Sequence, residues 1–281
     1  MLTSAAAQPS ASVTVLPPDS LQSVPLNRAV QLTIILPPAY AENGPLLPVL
    51  YLNDGQDLPS LHMTHVLDSL YKARVIRPFV LVAMHANADR IQEYGTAARP
   101  DYMNRGSKAA AYADFVLTEL QPYIQRHFGV ATDPAQNVIA GFSLGGLSAF
   151  DIAFHHPDRF SAVGVFSGSF WWRKKKFSTD SGSAYDDDTD RIMHSLIRDS
   201  TTKPEVRFWL QTGTRDEASD RNNNGVIDSI DDTLDIIREL EKKGFRRDRD
   251  IRYVEVEGGE HNQRTWSAIL PDFLTWAFPA N

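Results

Sequence analysis

Asn137-Val138-Ile139-Ala140-Gly141-Phe142-Ser143-Leu144-Gly145-Gly146-Leu147-Ser148-Ala149-Phe150 passes from an apolar tetrapeptide, through G-x-S-x-G, into a helix-like stretch. A strand that turns sharply into a helix leaves little room around the turn. Flanking glycines let the backbone pass while Ser143 stands at the apex, an arrangement known as a nucleophile elbow. Its hydroxyl is then exposed at a helix N-terminus, where a serine can serve as a nucleophile.

Working outward, strand-like runs occur at residues 30–36, 48–53, 79–84, 137–140, 162–166, 206–211 and 251–256. Helical patterns lie between most of them. Over residues 109–126, Tyr112, Phe115, Val116, Leu120, Tyr123 and Ile124 recur at helical spacing, with Pro122 expected to kink or divide the helix. Residues 232–243 repeat the pattern with Leu234, Ile237 and Leu240 and stop at Gly244. Strands alternating with helices predict an α/β fold with a mostly parallel sheet covered on both faces. One domain over 12–281 is expected, preceded by a small, polar and disordered segment over 1–11. The basic run Arg173-Lys174-Lys175-Lys176 and the acidic run Asp186-Asp187-Asp188 mark residues 173–190 as a surface insertion.

The chain has 281 residues, 42% hydrophobic, with net charge -7. Nucleic acid and anionic membrane surfaces need an excess of Lys and Arg, so neither is an expected partner. There is no cysteine, which excludes disulfides, thiolate nucleophiles and Cys-ligated metals. No apolar run is long enough to span a membrane. The first eight residues carry neither a basic start nor an apolar core, so no signal peptide is visible. That pattern fits a cytoplasmic protein, or a periplasmic or secreted one whose leader has been removed.

A serine hydroxyl needs a base, and in a strand-turn-helix hydrolase the partners follow in the order Ser, acid, His. Gly213-Thr214-Arg215-Asp216 places a carboxylate just past the strand at 206–211. Gly258-Gly259-Glu260-His261 places an imidazole after the strand at 251–256. His261 is the expected general base and Asp216 the acid that orients it, with Glu217 and Glu260 as alternatives for the acid. Oxyanion donors are expected from Leu144 N–H, next to the nucleophile, and from Gln56 N–H in the turn Asn53-Asp54-Gly55-Gln56-Asp57. Trp171 and Trp172 follow another strand end, where indoles can stack on a sugar or an aromatic acyl group.

Further stretches join these motifs. They are Leu36-Pro37-Pro38-Ala39-Tyr40, Tyr51-Leu52-Asn53-Asp54-Gly55, Arg90 with Glu93-Tyr94, His156-Pro157-Asp158-Arg159-Phe160, Ser167-Gly168-Ser169 and Gly259-Glu260-His261. Together with the elbow they resemble the esterase family that includes enterochelin esterases, feruloyl and acetyl-xylan esterases, S-formylglutathione hydrolases and mycolyltransferases. The resemblance covers roughly residues 30–277 and is specific as a set. It implies an α/β-hydrolase fold and serine esterase chemistry, with Ser143 and His261 as nucleophile and base; the acid is less well matched, since members vary there. Ser167-Gly168-Ser169-Phe170-Trp171-Trp172 is more similar to the enterochelin-esterase side than to the glutathione-linked branch. The expected activity is carboxylic ester hydrolysis through an acyl-enzyme, on an enterochelin-like or carbohydrate ester. An acyltransferase of the same fold and a calcium-stabilised, noncatalytic binding protein are the alternatives.

Asp220-Arg221-Asn222-Asn223-Asn224-Gly225-Val226-Ile227-Asp228-Ser229-Ile230-Asp231 follows the calcium-loop pattern D-x-N-x-N-G-x-I-D-x-x-[DE]. Asp220, Asn222, Asn224, the Val226 carbonyl, Asp228 and Asp231 are the candidate ligands of a structural Ca2+. The last position is Asp instead of the longer Glu, and a strand precedes the loop, so a paired calcium sensor is not expected.

Overall fold

Residues Val49–Asn53, Val80–Met84, Asn137–Phe142 and Ala162–Phe166 are buried along their whole length, as strands covered by helices on both faces must be. The computed structural model describes residues 12–178, 185–247 and 249–280. The segment 1–11, expected to be disordered, lies outside the described residues, as do positions 179–184 of the 173–190 insertion. In chain order the strands are β1 (Thr14–Val15), β2 (Asp19–Ser23), β3 (Arg28–Leu36), β4 (Val49–Asn53), β5 (Val80–Met84), β6 (Asn137–Phe142), β7 (Ala162–Phe166), β8 (Arg207–Arg215) and β9 (Ile251–Glu260). They form one sheet in the order β1-β3-β5-β4-β6-β7-β8-β9, with β2 also paired to β3. From β5 to β9 every pairing is parallel. The pairings of β3 with β1, β2 and β5 are antiparallel.

The helices are α1 (Met63–Ala73), α2 (Arg90–Glu93), α3 (Ala109–Asp114), α4 (Gln121–His127), α5 (Leu144–His155), α6 (Asp187–Asp190), α7 (Ile192–Asp199), α8 (Asp228–Lys242) and α9 (Gln263–Ala277). Alternation along the strands divides the core. Leu50, Leu52, Val138 and Ala140 face Met63 and Leu67 of α1 and Trp266, Leu270 and Phe273 of α9. Val49, Tyr51 and Ile139 face the opposite layer, with Leu147 and Phe150 of α5 and Ile236 and Ile237 of α8.

Two helix expectations shift in position. The division of the 109–126 helix falls ahead of Pro122: Phe115–Leu120 widens into a π-helical turn between α3 and α4, and Pro122 sits in the first turn of α4. Proline has no N–H and its ring crowds the carbonyl four residues back, and the wider turn gives it room. The helix expected from Asp232 begins earlier, at Asp228. The described ends of the insertion meet: Arg173 bridges Arg191, and Lys174 and Lys175 lie 3.7 and 3.3 Å from the buried Asp190.

From β4 the chain crosses to β5 on one side and later returns to β6 on the other. The carboxyl ends of β4 and β6 therefore flank a topological switch point, where open α/β sheets bind ligands. Ser143 follows β6 and Gln56 follows β4.

Candidate active site

Ser143 adopts φ 54° and ψ −120°, a conformation a non-glycine residue holds only when its surroundings enforce it. Its N–H donates to the Phe166 carbonyl at 2.9 Å, and its carbonyl accepts from Gly146, Leu147 and Ser169 N–H at 3.1, 3.1 and 3.2 Å. The flanking glycines are required by close approach. A Cβ on Gly141 would lie 2.3 Å from the Gly145 carbonyl oxygen, and one on Gly145 would lie 2.5 Å from an Asp54 carboxylate oxygen. Ser143 Oγ is 3.3 Å from Ser169 Oγ, and Ser169 is buried.

Leu144 opens α5, so its N–H belongs to the first turn and has no intrahelical acceptor. Gln56 occupies the 3-10 turn Gly55–Asp57, entered through Asp54 at φ 63°. This turn is bound to the elbow. Asn53 Nδ2 donates to the Gly145 carbonyl at 2.7 Å, and Tyr112 Oη donates to Asn53 Oδ1 at 2.6 Å. Arg90 donates to both Asp54 oxygens at 2.6 and 2.8 Å and to the Phe142 carbonyl at 3.3 Å. The Gln56 side chain joins Asp54 and Ala86 N–H at 3.1 and 3.0 Å, which holds its backbone in the turn.

On the other side of the elbow, Asp216 directly follows β8, and His261 lies between β9 and α9. Asp216 is 9% exposed. Its Oδ2 accepts the Gly213 N–H at 3.0 Å, while Oδ1 is buried without a hydrogen-bond partner. Burial raises its pKa, and the Gly213 N–H, the Ser167 hydroxyl and His261 act in the opposite direction. His261 meets solvent, yet the protein around the rest of the ring lowers its pKa; Asp216 opposes that shift and Arg90 adds to it. The ring meets Trp266 edge to face at 5.3 Å, and Trp266 Nε1 donates to Ser167 Oγ at 3.0 Å. The residues Ser167 to Ser169 thus touch the surroundings of nucleophile, acid and base alike.

Of the three carboxylates considered for the acid, Asp216 is the one buried beside His261 with a free oxygen. Glu217 is exposed on the same cavity, its pKa raised first by burial and then by the Asp228 charge. Glu260 accepts from Asn262 Nδ2 at 2.9 Å and faces solvent.

The two tryptophans separate. Trp171 is half-buried and borders the cavity that holds His261. Trp172, expected at the substrate, is instead a core residue at 0% exposure. Its ring fills the space over Gly95 and Gly106, where an added Cβ would come within 3.0 and 2.9 Å of it. A rigid, flat side chain that closes such a gap has no face left for a ligand.

The loop 220–231 draws four of its six expected ligands together. Asn222 and Asn224 Nδ2 donate to Asp231 Oδ2 at 2.9 and 2.8 Å, and Asp220 accepts from Asn224 and Gly225 N–H at 3.1 and 2.9 Å. Val226 N–H donates to Asn224 Oδ1 at 2.7 Å. Asp228 is turned elsewhere: its Oδ1 accepts from Arg221 N–H at 2.9 Å and lies 3.2 Å from the Arg221 guanidinium. Arg221 points inward, with Asp187 at 2.8 Å and Asp232 at 2.7 Å, and a buried arginine demands such carboxylates. Among the described residues, no group of three or more His, Cys, Asp or Glu side chains is disposed to hold a metal ion.

The clamp of Arg90 on Asp54 and the contact of Ser169 with Ser143 carry no role in the sequence reading. Their only signal is that Arg90 and Ser167-Gly168-Ser169 belong to the motif set. A largely parallel sheet with a strained serine between β6 and α5, and with a carboxylate and an imidazole past the ends of β8 and β9, defines an α/β-hydrolase. Residues 23–277 match the sequence profile of the Esterase family, and the chain belongs to that family. It is 21% identical over 253 residues to the uncharacterized protein YbbA of Bacillus subtilis, covering 89% of this chain and 92% of that one. It is 33% identical over 138 residues to the iron(III) enterobactin esterase of Escherichia coli K12, covering 48% of this chain and 30% of that protein. Among solved structures, a ferulic acid esterase superposes with TM-score 0.70 at 20% identity, covering 95% of this chain and 98% of that one. The enterobactin esterase of Shigella flexneri superposes with TM-score 0.69 at 20% identity, covering 93% of this chain and 59% of that one. No helix among the described residues is long and apolar enough to cross a membrane.

Proposed function

We propose that the protein is a serine carboxylic ester hydrolase. Ser143 Oγ attacks the ester carbonyl carbon while His261 takes its proton, and the Leu144 and Gln56 N–H groups receive the oxyanion. Collapse of the tetrahedral intermediate breaks the bond to the alcohol oxygen, which leaves with the proton from His261. Water, deprotonated by the same imidazole, then attacks the acyl-enzyme, releases the acid and restores Ser143. Asp216 holds His261 in the required tautomer and stabilises the imidazolium. The observation that carries this reading is the enforced conformation of Ser143 between two bound loops, with a buried, half-satisfied carboxylate beside His261.

Family membership supports ester hydrolysis as the class of reaction. The relatives named for enterobactin and ferulic acid make catecholate esters and ferulate esters the first substrates to assay, with acetylated sugars tested beside them. The deciding experiment is Ser143→Ala. It should remove turnover of a small activated ester, by about a millionfold in kcat, and abolish labelling by a serine-directed phosphonate. Labelling that persists in this variant would reject Ser143, and an unmodified protein that never labels would favour a noncatalytic binding role.

We also propose that the loop 220–231 binds a structural calcium ion through Asp220, Asn222, Asn224, Asp231 and the Val226 carbonyl. The convergence of the four side chains, in the spacing of a calcium loop, supports this. A cation there would steady the segment that leads from Asp216 into α8 and would take no part in the chemistry.

A further inference from the structure

Ser143 Oγ has a second hydroxyl beside it: Ser169 Oγ lies 3.3 Å away, and Ser169 is 2% exposed. Ser169 belongs to the turn Ser167-Gly168-Ser169, which leaves the carboxyl end of β7. In the sheet β7 stands between β6 and β8, whereas β4, which precedes Gln56, flanks β6 on the other side. Ser169 therefore reaches the nucleophile from the side of the acid and the base, away from the Gln56 turn.

The turn is fixed in place. Ser167 has φ 46°, a left-handed conformation, and its N–H donates to the Gln211 carbonyl at 2.8 Å. A Cβ on Gly168 would come within 2.6 Å of the Val165 side chain and 2.9 Å of the Phe170 ring. Ser169 N–H donates to the Ser143 carbonyl at 3.2 Å, and the Ser169 carbonyl accepts from the N–H of the buried Trp172 at 3.2 Å. The two serines serve different partners. Ser167 Oγ accepts from Trp266 Nε1 at 3.0 Å, while Ser169 Oγ meets Ser143.

A hydroxyl has one proton to give and two lone pairs that accept. In the resting pair either serine can donate. During attack Ser143 gives its proton to His261, which leaves Ser169 as the donor and Ser143 Oγ, at its most negative, as the acceptor. The resting separation is long against the roughly 2.7–2.8 Å usual for two hydroxyls, and charge on the acceptor draws such bonds shorter. A bond that strengthens as charge gathers favours the transition state over the ground state, which is the condition for raising a rate. Because the donor is buried and already aimed, little reorganisation is needed. When water attacks the acyl-enzyme, Oγ is an ester oxygen with little charge, and the same hydroxyl has little to stabilise.

We infer that Ser169 is a hydrogen-bond donor to the nucleophile, steadying Ser143 Oγ while the acyl-enzyme forms and contributing little to its hydrolysis. The inference rests on Ser143 acting as proposed above.

The test times the two halves of the reaction separately, with a p-nitrophenyl carbamate whose carbamoyl-enzyme is hydrolysed slowly. Release of p-nitrophenol under excess enzyme reports acylation, and the return of esterase activity reports deacylation. Both are rate constants, so an unfolded fraction lowers amplitudes without altering them. Ser169→Ala should slow acylation about ten- to a hundredfold, short of the loss of a full oxyanion donor, and deacylation by less than about threefold. Labelling by a serine-directed phosphonate should slow in step with acylation. Ser169→Cys keeps a side chain in the space but offers a much weaker donor, and it should show the same split. Equal losses in both steps would overturn the assignment, as would a cysteine or alanine variant that acylates at the parent rate. Ser143→Ala separates the two readings: carbamoylation of that variant defeats the serine mechanism, whereas an inert Ser143→Ala beside an indifferent Ser169→Ala defeats only the role of Ser169.

Discussion

Arg90 grips Asp54 at two points, 2.6 and 2.8 Å, directly behind the elbow, and the same guanidinium reaches the carbonyl of Phe142 at 3.3 Å. Asp54 begins the turn that carries Gln56, and Phe142 precedes Ser143. One side chain therefore fixes the distance between the two proposed oxyanion donors. A lysine keeps the charge but not the fork. Arg90→Lys should lower kcat about a hundredfold with little change in KM, because small displacements of positioned groups cost that much.

The same residue tunes the base. Burial and the charge of Arg90 lower the pKa of His261 from its ordinary 6.5. The base acts in its neutral form, so the acidic limb of kcat/KM should fall below pH 6.5. Arg90→Ala removes the positive charge and should move that limb upward, whereas Arg90→Lys should leave it nearly in place. Identical limbs in the parent and the alanine variant would refute this coupling.

Asp216 should behave as the third member of the triad. Asp216→Asn preserves shape but presents a donor where His261 needs an acceptor, and kcat should fall about ten-thousandfold. Glu260, bonded to Asn262 and facing solvent, should tolerate Gln with kcat close to that of the parent. Melting curves would separate lost chemistry from lost folding.

Calcium at the loop 220–231 predicts a chelator effect. A ligand present at a hundred times its Kd stabilises the native state by about 2.7 kcal/mol, which for a chain of this size is about 5–10 °C in Tm. EDTA should lower the melting temperature by that amount and added calcium should restore it. Asp220→Ala should remove the dependence; a parent protein indifferent to chelation would eliminate the site.

His194 gives the fold a weakness in acid. It is 1% exposed, its Nδ1 has no partner, and its Nε2 lies 2.9 Å from the Asp232 carbonyl. Burial, and then the charge of Arg191, lower its pKa well below 6.5. The unfolded chain takes up a proton near pH 6.5 that the folded protein refuses. Stability is therefore complete above that pH and declines as pH drops toward the folded pKa. His85 and His156 are shifted the same way and add to the slope. Tm should fall by several degrees between pH 7 and pH 5, and His194→Gln should flatten part of that decline.

Much of this architecture was legible in the chain because it is periodic. The runs 137–140, 162–166 and 206–211 lie in parallel strands buried on both faces, which a largely apolar run suits, while 251–256, where apolar and polar residues mix, lies in the parallel edge strand β9. β1 and β2 carry no core pattern in the sequence: β1 has two residues, both exposed, β2 buries only Ser23 fully, and both pair only with β3. The strand ends were also set too early, at Gln211 and Val256, because Gly213 and Gly258-Gly259 resemble turns; the ladder between β8 and β9 continues through them by a register shift at Gly213 and Arg215.

The sequence by itself determined the local order: an elbow serine between strand and helix, a carboxylate and an imidazole after later strands, and a twelve-residue loop of calcium-ligand spacing. Those features depend on neighbours in the chain, and neighbours are written in it. Tertiary structure alone decided which of Asp216, Glu217 and Glu260 is buried beside His261, and that Trp171 borders the cavity while Trp172 fills the core. It also decided that Asp228 belongs to Arg221 and that Arg90 joins the loops after β4 and β6. Burial and ion pairing arise between segments far apart in sequence, and their strength is set by how much water the packed chain excludes.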